Sequence, residues 1–366
     1  MTDFAKLRLK HHGDPERLFE ILQMECREKT AKKLPTFAAN PDFVFPSIAL
    51  AEMSTSEEVA KIHAEMIKEG DTVADLTFGL GIDAFALAEK ARRVVGVEID
   101  PSAAKIAEQN AKALGISNVE IVCADCMDWL KGTDEHFDVI FIDPARRDSA
   151  GRHFRFSDCS PDIVSNLPLL LSHCRKLIIK ASPMIDISLA RQELQQPKAD
   201  AVVIGTEHEC KEVVMVISPE QSGSTKAITL GHGAYVGNPS RKAVIATVNP
   251  SAGFLYEPFP AVMKAGLMNE IDLGTKLHPS SHLFYSPSPL PDFPGQEFRI
   301  LASFPFNKQG IKELAKAYPV TNVAVRNLPI KAPELAKRLK VKEGGRLKTF
   351  GTTLANDEKV MIVTEF

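Results

Sequence analysis

Between residues 71 and 217 the chain repeats a single pattern: a short run of β-branched and apolar residues, a turn, then a stretch with helical period. The runs fall at 72–75, 93–98, 119–123, 137–143, 175–180, 200–204 and 212–217, and helical stretches such as 84–90 and 102–114 separate the first five. Strands that are apolar almost throughout, instead of alternating, are covered on both faces, and strands parted by helices assemble side by side in parallel. The expectation is an α/β fold, a doubly wound and mostly parallel seven-stranded sheet.

A chain of 366 residues exceeds what one core usually supports, so further domains are expected on either side. Residues 1–53 alternate a helical patch (15–33) with extended, proline-punctuated sequence at Leu34-Pro35, Asn40-Pro41 and Phe45-Pro46. They hold too few apolar positions for their own core and read as a helical extension packed on the adjoining α/β domain. A helix leading into the first strand is marked by capping-box spacing, Ser54 with Glu57 or Thr55 with Glu58, and by Val59, Ile62, His63 and Met66 at helical period. The catalytic-type domain therefore spans 54–218. After Pro219 the pattern turns to hairpin-like strands and prolines, giving two small α+β regions, 219–300 and 301–366. The second reads strand 322–326, helix 332–339, strand 346–353, a tight Asn356-Asp357 turn and strand 360–365.

No apolar run approaches a membrane span, and the first residues lack the pattern of a secretory signal, so no membrane partner and a cytoplasmic location are expected. Six scattered cysteines do not form a disulfide framework. Cys123 and Cys126 have zinc-like spacing but no second pair, and His278 and His282 lack an adjacent acidic ligand, so no metal is expected. Net charge is only −3, yet residues 301–366 carry 12 Lys/Arg against 6 Asp/Glu, leaving 32 against 41 in the first 300. A basic module on an acidic body points to a polyanionic partner.

Acidic residues close successive strands. The first strand runs into Asp75-Leu-Thr77-Phe-Gly79-Leu-Gly81-Ile-Asp83, where glycines let the backbone approach a ligand at a helix start. The third glycine of a dinucleotide fingerprint is missing, with Asp83 near its place, and an acid there repels a pyrophosphate. A ligand bearing an amino group and a carboxylate suits Asp75 and the turn better. Glu98 ends the second strand, 23 residues after Asp75, where a carboxylate accepts both ribose hydroxyls of a nucleoside. Asp125 with Cys126 ends the third, placed for an adenine amino group and ring nitrogen, and Asp143-Pro144 ends the fourth. Any one of these acids alone reads equally well as a cap or turn former.

The ordered series resembles class I S-adenosylmethionine (SAM)-dependent methyltransferases over roughly 54–217, whose domain is Rossmann-like. The resemblance implies SAM as cofactor, with Asp75, Thr77, Gly79, Gly81 and Asp83 in the first motif. It implies Glu98 at the ribose, Asp125 and Cys126 at the adenine, and Asp143-Pro144 beside the methyl group. Across its length the chain is similar to a bacterial family of such enzymes with a ferredoxin-like insert and a C-terminal THUMP-like domain. That likeness rests on Phe43-Val-Phe-Pro46, Asp143-Pro-Ala-Arg-Arg147, Lys180-Ala-Ser-Pro-Met184, Tyr256-Glu-Pro258, Lys276-Leu-His-Pro279, Ser281-His-Leu283, Val325-Arg-Asn327 and Gly344-Gly345. It implies an RNA substrate, tRNA or rRNA. Arg147 stands where enzymes that methylate exocyclic base amines often carry an aromatic residue, a departure that argues against that acceptor.

The loop after the fourth motif interleaves Arg146, Arg147, Arg152 and Arg155 with Phe154 and Phe156, residue types that pair with phosphates and stack on bases. Arg146, Arg147, Arg152, Arg155 and Phe156 are therefore expected at the substrate, with Lys180 and Ser182 after the fifth strand and Lys337, Arg338 and Lys342 in the basic module. Methyl transfer needs chiefly alignment. Asp143 is expected to orient or deprotonate the nucleophile, and Arg146 or Arg147 to fix a phosphate. Two alternatives stand beside this one: a small-metabolite methyltransferase, and a non-catalytic RNA-binding protein that retains the SAM fold.

Overall fold

The computed structural model describes residues 2–146, 155–246 and 249–366, with the backbone alone described at Arg146. The chain divides into two compact units, Met1–Ala201 with Val213–Ser224, and Val202–Glu212 with Thr225–Phe366. Among the described residues no helix is long and apolar enough to cross a membrane.

All seven expected strands form: β1 Thr72–Asp75, β2 Arg93–Glu98, β3 Val119–Cys123, β4 Phe137–Ile142, β5 Cys174–Ala181, β6 Asp200–Gly205 and β7 Cys210–Ile217. In the first unit their order is 3-2-1-4-5-7, parallel from β3 through β5, with β7 antiparallel to β5. The division between the units passes through β6 and β7. β1, β2 and β4 are buried along nearly their whole length, as the unbroken apolar runs require, whereas β3 at the edge is half exposed. The order reverses between β1 and its neighbours β2 and β4, and ligands of open α/β sheets bind in the crevice at such a reversal. Asp75, Glu98 and Asp143 stand at the strand ends that frame it.

Close packing holds the first turn against the sheet. The Phe78 ring lies over Gly96 of β2, and a Cβ at Gly96 would meet that ring at 2.2 Å. Gly81 adopts a left-handed conformation, φ 82°, that caps the start of the helix Ile82–Ala88.

The N-terminal extension packs within the first unit through backbone groups that no strand pairs. Gln23 exchanges two 2.9 Å hydrogen bonds with the backbone of Phe45, and Asn110 of the helix Pro101–Ala113 exchanges two 2.8 Å bonds with Val44. The Arg27 guanidinium donates to the carbonyls of Ala38, Asn40 and Phe43 at 2.6–2.8 Å. Side chains thus satisfy an extended segment that would otherwise leave buried polar groups unpaired. Two expectations are corrected by the fold. Pro35–Ala39 is a short helix, not extended, because Glu57 Oε1 accepts the N–H groups of Thr36 and Phe37 in its first turn. The helix Glu57–Ala64 is capped by Ser56, not by Ser54 or Thr55, which leaves the Thr55 hydroxyl for another task.

The second unit carries an eight-stranded sheet. Its last part follows the expected order, with Asn322–Arg326, the helix Ala332–Leu339, Leu347–Thr353 and Lys359–Glu365, to which the structure adds the long strand Gly295–Pro305 and the helix Lys308–Ala317. Leu314, Leu335, Leu339, Met361 and Val363 form a core under the two helices, while Phe298, Phe350 and Ile362 pack a second cluster.

The fit at Gly96 predicts that Gly96→Ala overpacks the seat of Phe78 and lowers stability by about 1–3 kcal/mol. Urea unfolding read by circular dichroism should show a lower midpoint at unchanged slope.

Candidate cofactor pocket and active site

Carboxylates gather around one buried ammonium. Lys180, at the end of β5, has a side chain only 7% exposed and donates to Asp143 Oδ2 at 2.6 Å, Thr55 Oγ1 at 2.7 Å and Asp83 Oδ2 at 3.4 Å. Asp83 also accepts from the Thr55 hydroxyl and, at 2.7 Å, from Nδ1 of the fully buried His63. Burial raises the Asp83 carboxyl, but the charges of Lys180 and His63 outweigh it and hold the group well below the usual range. Asp75 fares differently. It is 1% exposed, and burial together with the charge of Asp83 pushes its carboxyl up to about 8, against an N–H from Thr77 that favours the anion. Thr77 couples the two motifs: its N–H donates to Asp75 at 3.1 Å and its hydroxyl oxygen accepts the N–H of Asp143 at 2.7 Å.

Above this cluster lies a cavity of about 760 Å³, within the size range of small-molecule sites. Its lining includes Thr77, Gly79, Gly81, Asp83, Glu98, Asp125, Cys126, Asp143 and Pro144, nine of the ten positions expected at the cofactor. The tenth, Asp75, is beneath the wall and not on it. Glu98 accepts the N–H of Gly79 on one oxygen at 2.8 Å and that of Asp100 on the other at 2.9 Å, which fixes the carboxylate and leaves further lone pairs for a diol. Asp125 combines both readings open to it, lining the cavity and capping the helix Cys126–Gly132 through Met127 and Asp128 N–H groups.

Of the expected substrate set, the described first-unit residues Arg155, Phe156, Lys180 and Ser182 are not in the cavity lining. Arg147 and Arg152 lie outside the described residues, as does the Arg146 side chain. Arg155 is exposed, but Phe156 is fully buried and so is not available to stack on a base; its N–H and that of Ser157 are held by Glu193. Ser182 Oγ accepts the N–H of Met184 in a turn. Lys180, expected at the substrate, turns its ammonium into the carboxylate cluster. Lys337, Arg338 and Lys342 are exposed in the second unit.

The cavity also uses residues that the sequence did not single out: Leu50 and Met53 from the N-terminal extension, and Asp162 and Asn166 from the helix Ile163–Ser172 with its cap. Thr55 and His63 were missed as well. His63 sits at helical period on an apolar face, where a histidine reads as core, and its partner is twenty residues away.

Among the described residues six carboxylates line the cavity (Asp83, Glu98, Asp125, Asp128, Asp143 and Asp162) with one lining ammonium, Lys131, while Lys180 behind the wall bonds Asp83 and Asp143. That donor set suits a ligand that carries positive charge and a ribose, as SAM does, and opposes a pyrophosphate. When bound, SAM supplies an activated methyl group; Glu98 would hold its ribose, and Asp83 is the cavity carboxylate nearest to the role first given to Asp75.

Comparison with known proteins agrees. Residues 73–149 match a model described as a methyltransferase domain, 254–294 a ferredoxin-like domain and 295–365 a THUMP domain-like family. The crystal structure of a candidate methyltransferase from Porphyromonas gingivalis W83 superposes with a TM-score of 0.85 at 28% identity, covering 99% of this chain and 96% of that one. An uncharacterized SAM-dependent methyltransferase of Mycobacterium tuberculosis H37Rv is 26% identical over 330 residues, 86% of this chain and 87% of the other. A 23S rRNA (uracil(1939)-C(5))-methyltransferase of Aeromonas salmonicida is 34% identical over 119 residues, 30% of this chain and 26% of its own length. Fold, carboxylate series and matches define the class: a SAM-dependent methyltransferase. Behind its Rossmann-like domain the chain carries a ferredoxin-like and a THUMP-like domain.

Glu98→Ala removes two charge-assisted contacts to the ribose and should weaken SAM binding at least ~10-fold by calorimetry, since such bonds contribute about 1.5–3 kcal/mol each. The carboxyl of Asp75 generates a pH dependence. Raised from 3.8 toward 8, it stabilises the fold fully below its ordinary value, and that contribution is lost as pH rises toward 8. Asp75→Asn keeps an acceptor for Thr77 without the buried charge. Its melting temperature should exceed that of the parent by a margin that grows from pH 5 to pH 8; a margin independent of pH would remove the burial account.

Proposed function

We propose that the protein is a cytoplasmic enzyme that methylates RNA. The observation that carries this reading is the split character of the helix Ala332–Leu339 in the region that matches the THUMP-like family. Leu335 and Leu339 are buried against the sheet, while Lys337, Arg338 and, just beyond, Lys342 are exposed. Exposed cations on a folded helix can neutralise phosphates without unfolding anything. Lys312 and Lys316 add exposed charge on the neighbouring helix Lys308–Ala317. Arg338 is shared with Glu334 at 2.6 Å, an exposed pair that a phosphate can readily displace.

Lys348 does not belong to this surface. Its ammonium lies 4.7 Å from the ring centres of both Phe298 and Phe350 and 3.4 Å from Glu257, and burial lowers its pKa. Residues 348 and 350 point to the same face of their strand because strand side chains alternate. The similarity to RNA methyltransferases supports the RNA reading, as does the arginine-rich sequence after Asp143, where Arg146 and Arg147 are assigned to a substrate phosphate.

Reversing Lys337, Arg338 and Lys342 to Glu should abolish binding of structured RNA in gel shifts. The parent should lose affinity steeply between 50 and 200 mM salt, by roughly 10-fold or more for a few phosphate contacts. SAM affinity of the triple variant should match the parent. Equal RNA binding by variant and parent at both salt concentrations would leave a small-metabolite methyltransferase as the better account.

A further inference from the structure

We propose that the atom methylated is a nucleobase nitrogen that carries a hydrogen, and that Asp143 receives this hydrogen; the proposal rests on the RNA reading and names the acceptor within it. Three kinds of nucleophile are open to a methyltransferase acting on RNA: a base nitrogen, carbon 5 of a pyrimidine, and a ribose hydroxyl. Each demands different equipment from the protein.

Carbon 5 of uracil is a poor nucleophile until a thiolate adds to carbon 6, so that route needs an ionised cysteine at the reacting ring. Among the described residues Cys126 is the one cysteine on the cavity wall, and burial, helped by the charge of Asp125, pushes its thiol up to about 12. At neutral pH it is a thiol, not a thiolate. Cys159 is fully enclosed, and the segment 147–154 contains no cysteine. Among the described residues the cavity therefore offers no ionised cysteine for uracil C5 chemistry, which the Aeromonas relative carries in its name.

A ribose hydroxyl must lose its proton to a strong base as it attacks. A carboxylate, which ordinarily titrates near 4, is too weak for that task. The amine beside Asp143 is Lys180, and it is turned to Asp143, Thr55 and Asp83 and is not part of the cavity lining where an acceptor would lie.

A base nitrogen makes the smallest demand. Its electron pair attacks the methyl carbon; the nitrogen–carbon bond forms as the carbon–sulfur bond breaks, and the departing pair stays on sulfur, which becomes a neutral thioether. The hydrogen on that nitrogen becomes acidic as the bond forms, and a carboxylate takes it, after attack from an amine and during attack from a ring N–H, whose electron pair is freed as the proton leaves. Asp143 is built for this. Lys180 holds Oδ2, Thr77 holds the backbone N–H, and Oδ1 has no partner among the described residues, on a side chain 45% exposed at the cavity. Asn166 lines the same cavity, with its amide nitrogen donating to Asp162 O at 2.8 Å and its oxygen left as a second acceptor. Two acceptors suit the hydrogen-bearing edge of a base. With Arg147 in place of an aromatic residue after the motif, an imino N–H of the ring is favoured over an exocyclic amine.

The test uses the full chain and methyl-labelled SAM, offered separately to RNA and to a small-molecule extract from cells that lack this protein. Labelled RNA is digested to nucleosides and the methyl position read by fragmentation mass spectrometry. Methyl on a base nitrogen is expected; methyl on C5 or on the ribose oxygen overturns the proposal. Label in the small-molecule pool alone defeats the RNA reading, and a carbon- or oxygen-linked methyl there defeats the nitrogen assignment as well. Label in neither pool counts against both. Asp143→Asn should lower turnover at least ~100-fold, as loss of a proton acceptor does, and turnover should fall far more than SAM affinity does. Turnover equal to the parent would remove Asp143 from the reaction.

Discussion

The ammonium of Lys180 is the interaction on which the site depends. Three carboxylates, Asp75, Asp83 and Asp143, approach one another at the ends of β1 and β4 and the start of the following helix, and like charges in a poorly solvated place repel. One ammonium donates to two of them, and with His63 bonded to Asp83 it lets Asp83 keep its charge where it faces the cavity. Asp75 has no direct cation to offset its burial and the charge of Asp83, which together raise its pKa. Removing one partner of a buried pair leaves an uncompensated charge and typically costs about 3–5 kcal/mol. Sheet, turn and active site are therefore tied through a single side chain that arrives from β5.

This arrangement explains an apparent irregularity. An acid in the place of the third fingerprint glycine would weaken a dinucleotide site, yet here Asp83 is anchored by three donors, Thr55, His63 and Lys180, supplied from three different elements. Thr55 is free for this because Ser56 caps the helix in its stead. The shift of a cap by one or two residues is thus a requirement of the site as much as a detail of the helix.

Much of the fold was legible because burial on both faces of a sheet leaves an unmistakable trace, an apolar run without alternation, and all seven strands appeared where such runs stand. The cofactor residues were legible for a related reason: acids at the carboxyl ends of successive strands meet in one crevice once the sheet is parallel. What could not be read was side-chain direction. Asp75 ends a strand like Glu98, but its side chain lies under the wall, and Lys180 turns inward where a substrate contact was expected. Phe156 follows an arginine-rich stretch yet is enclosed. His63 and Asn166 carry no local signal, since each gains its role from a residue or a cavity brought near only by folding. Lys348 reads as one more cation in a basic tract, and strand alternation sends it to aromatic rings and Glu257 instead.

The electrostatics of the first unit set a condition on any RNA substrate. Among the described residues six carboxylates and one lysine line the cavity, and even with Lys180 bonded to two of those carboxylates the remaining negative charge attracts a cationic cofactor and repels phosphate. The same charges that select SAM therefore oppose the approach of a polyanion, and binding energy for the RNA has to be found away from the cavity wall. The sequence carries such charge: arginines 146, 147, 152 and 155 follow Asp143 in the chain, and the last 66 residues carry twice as many cations as anions. Phosphate contacts of this kind position a substrate and carry no sequence information. In the reaction proposed above, choice among bases falls to groups at the cavity such as Asp143 and Asn166. A base presents an uncharged hydrogen-bonding edge, which is the one part of an RNA that an acidic wall can admit.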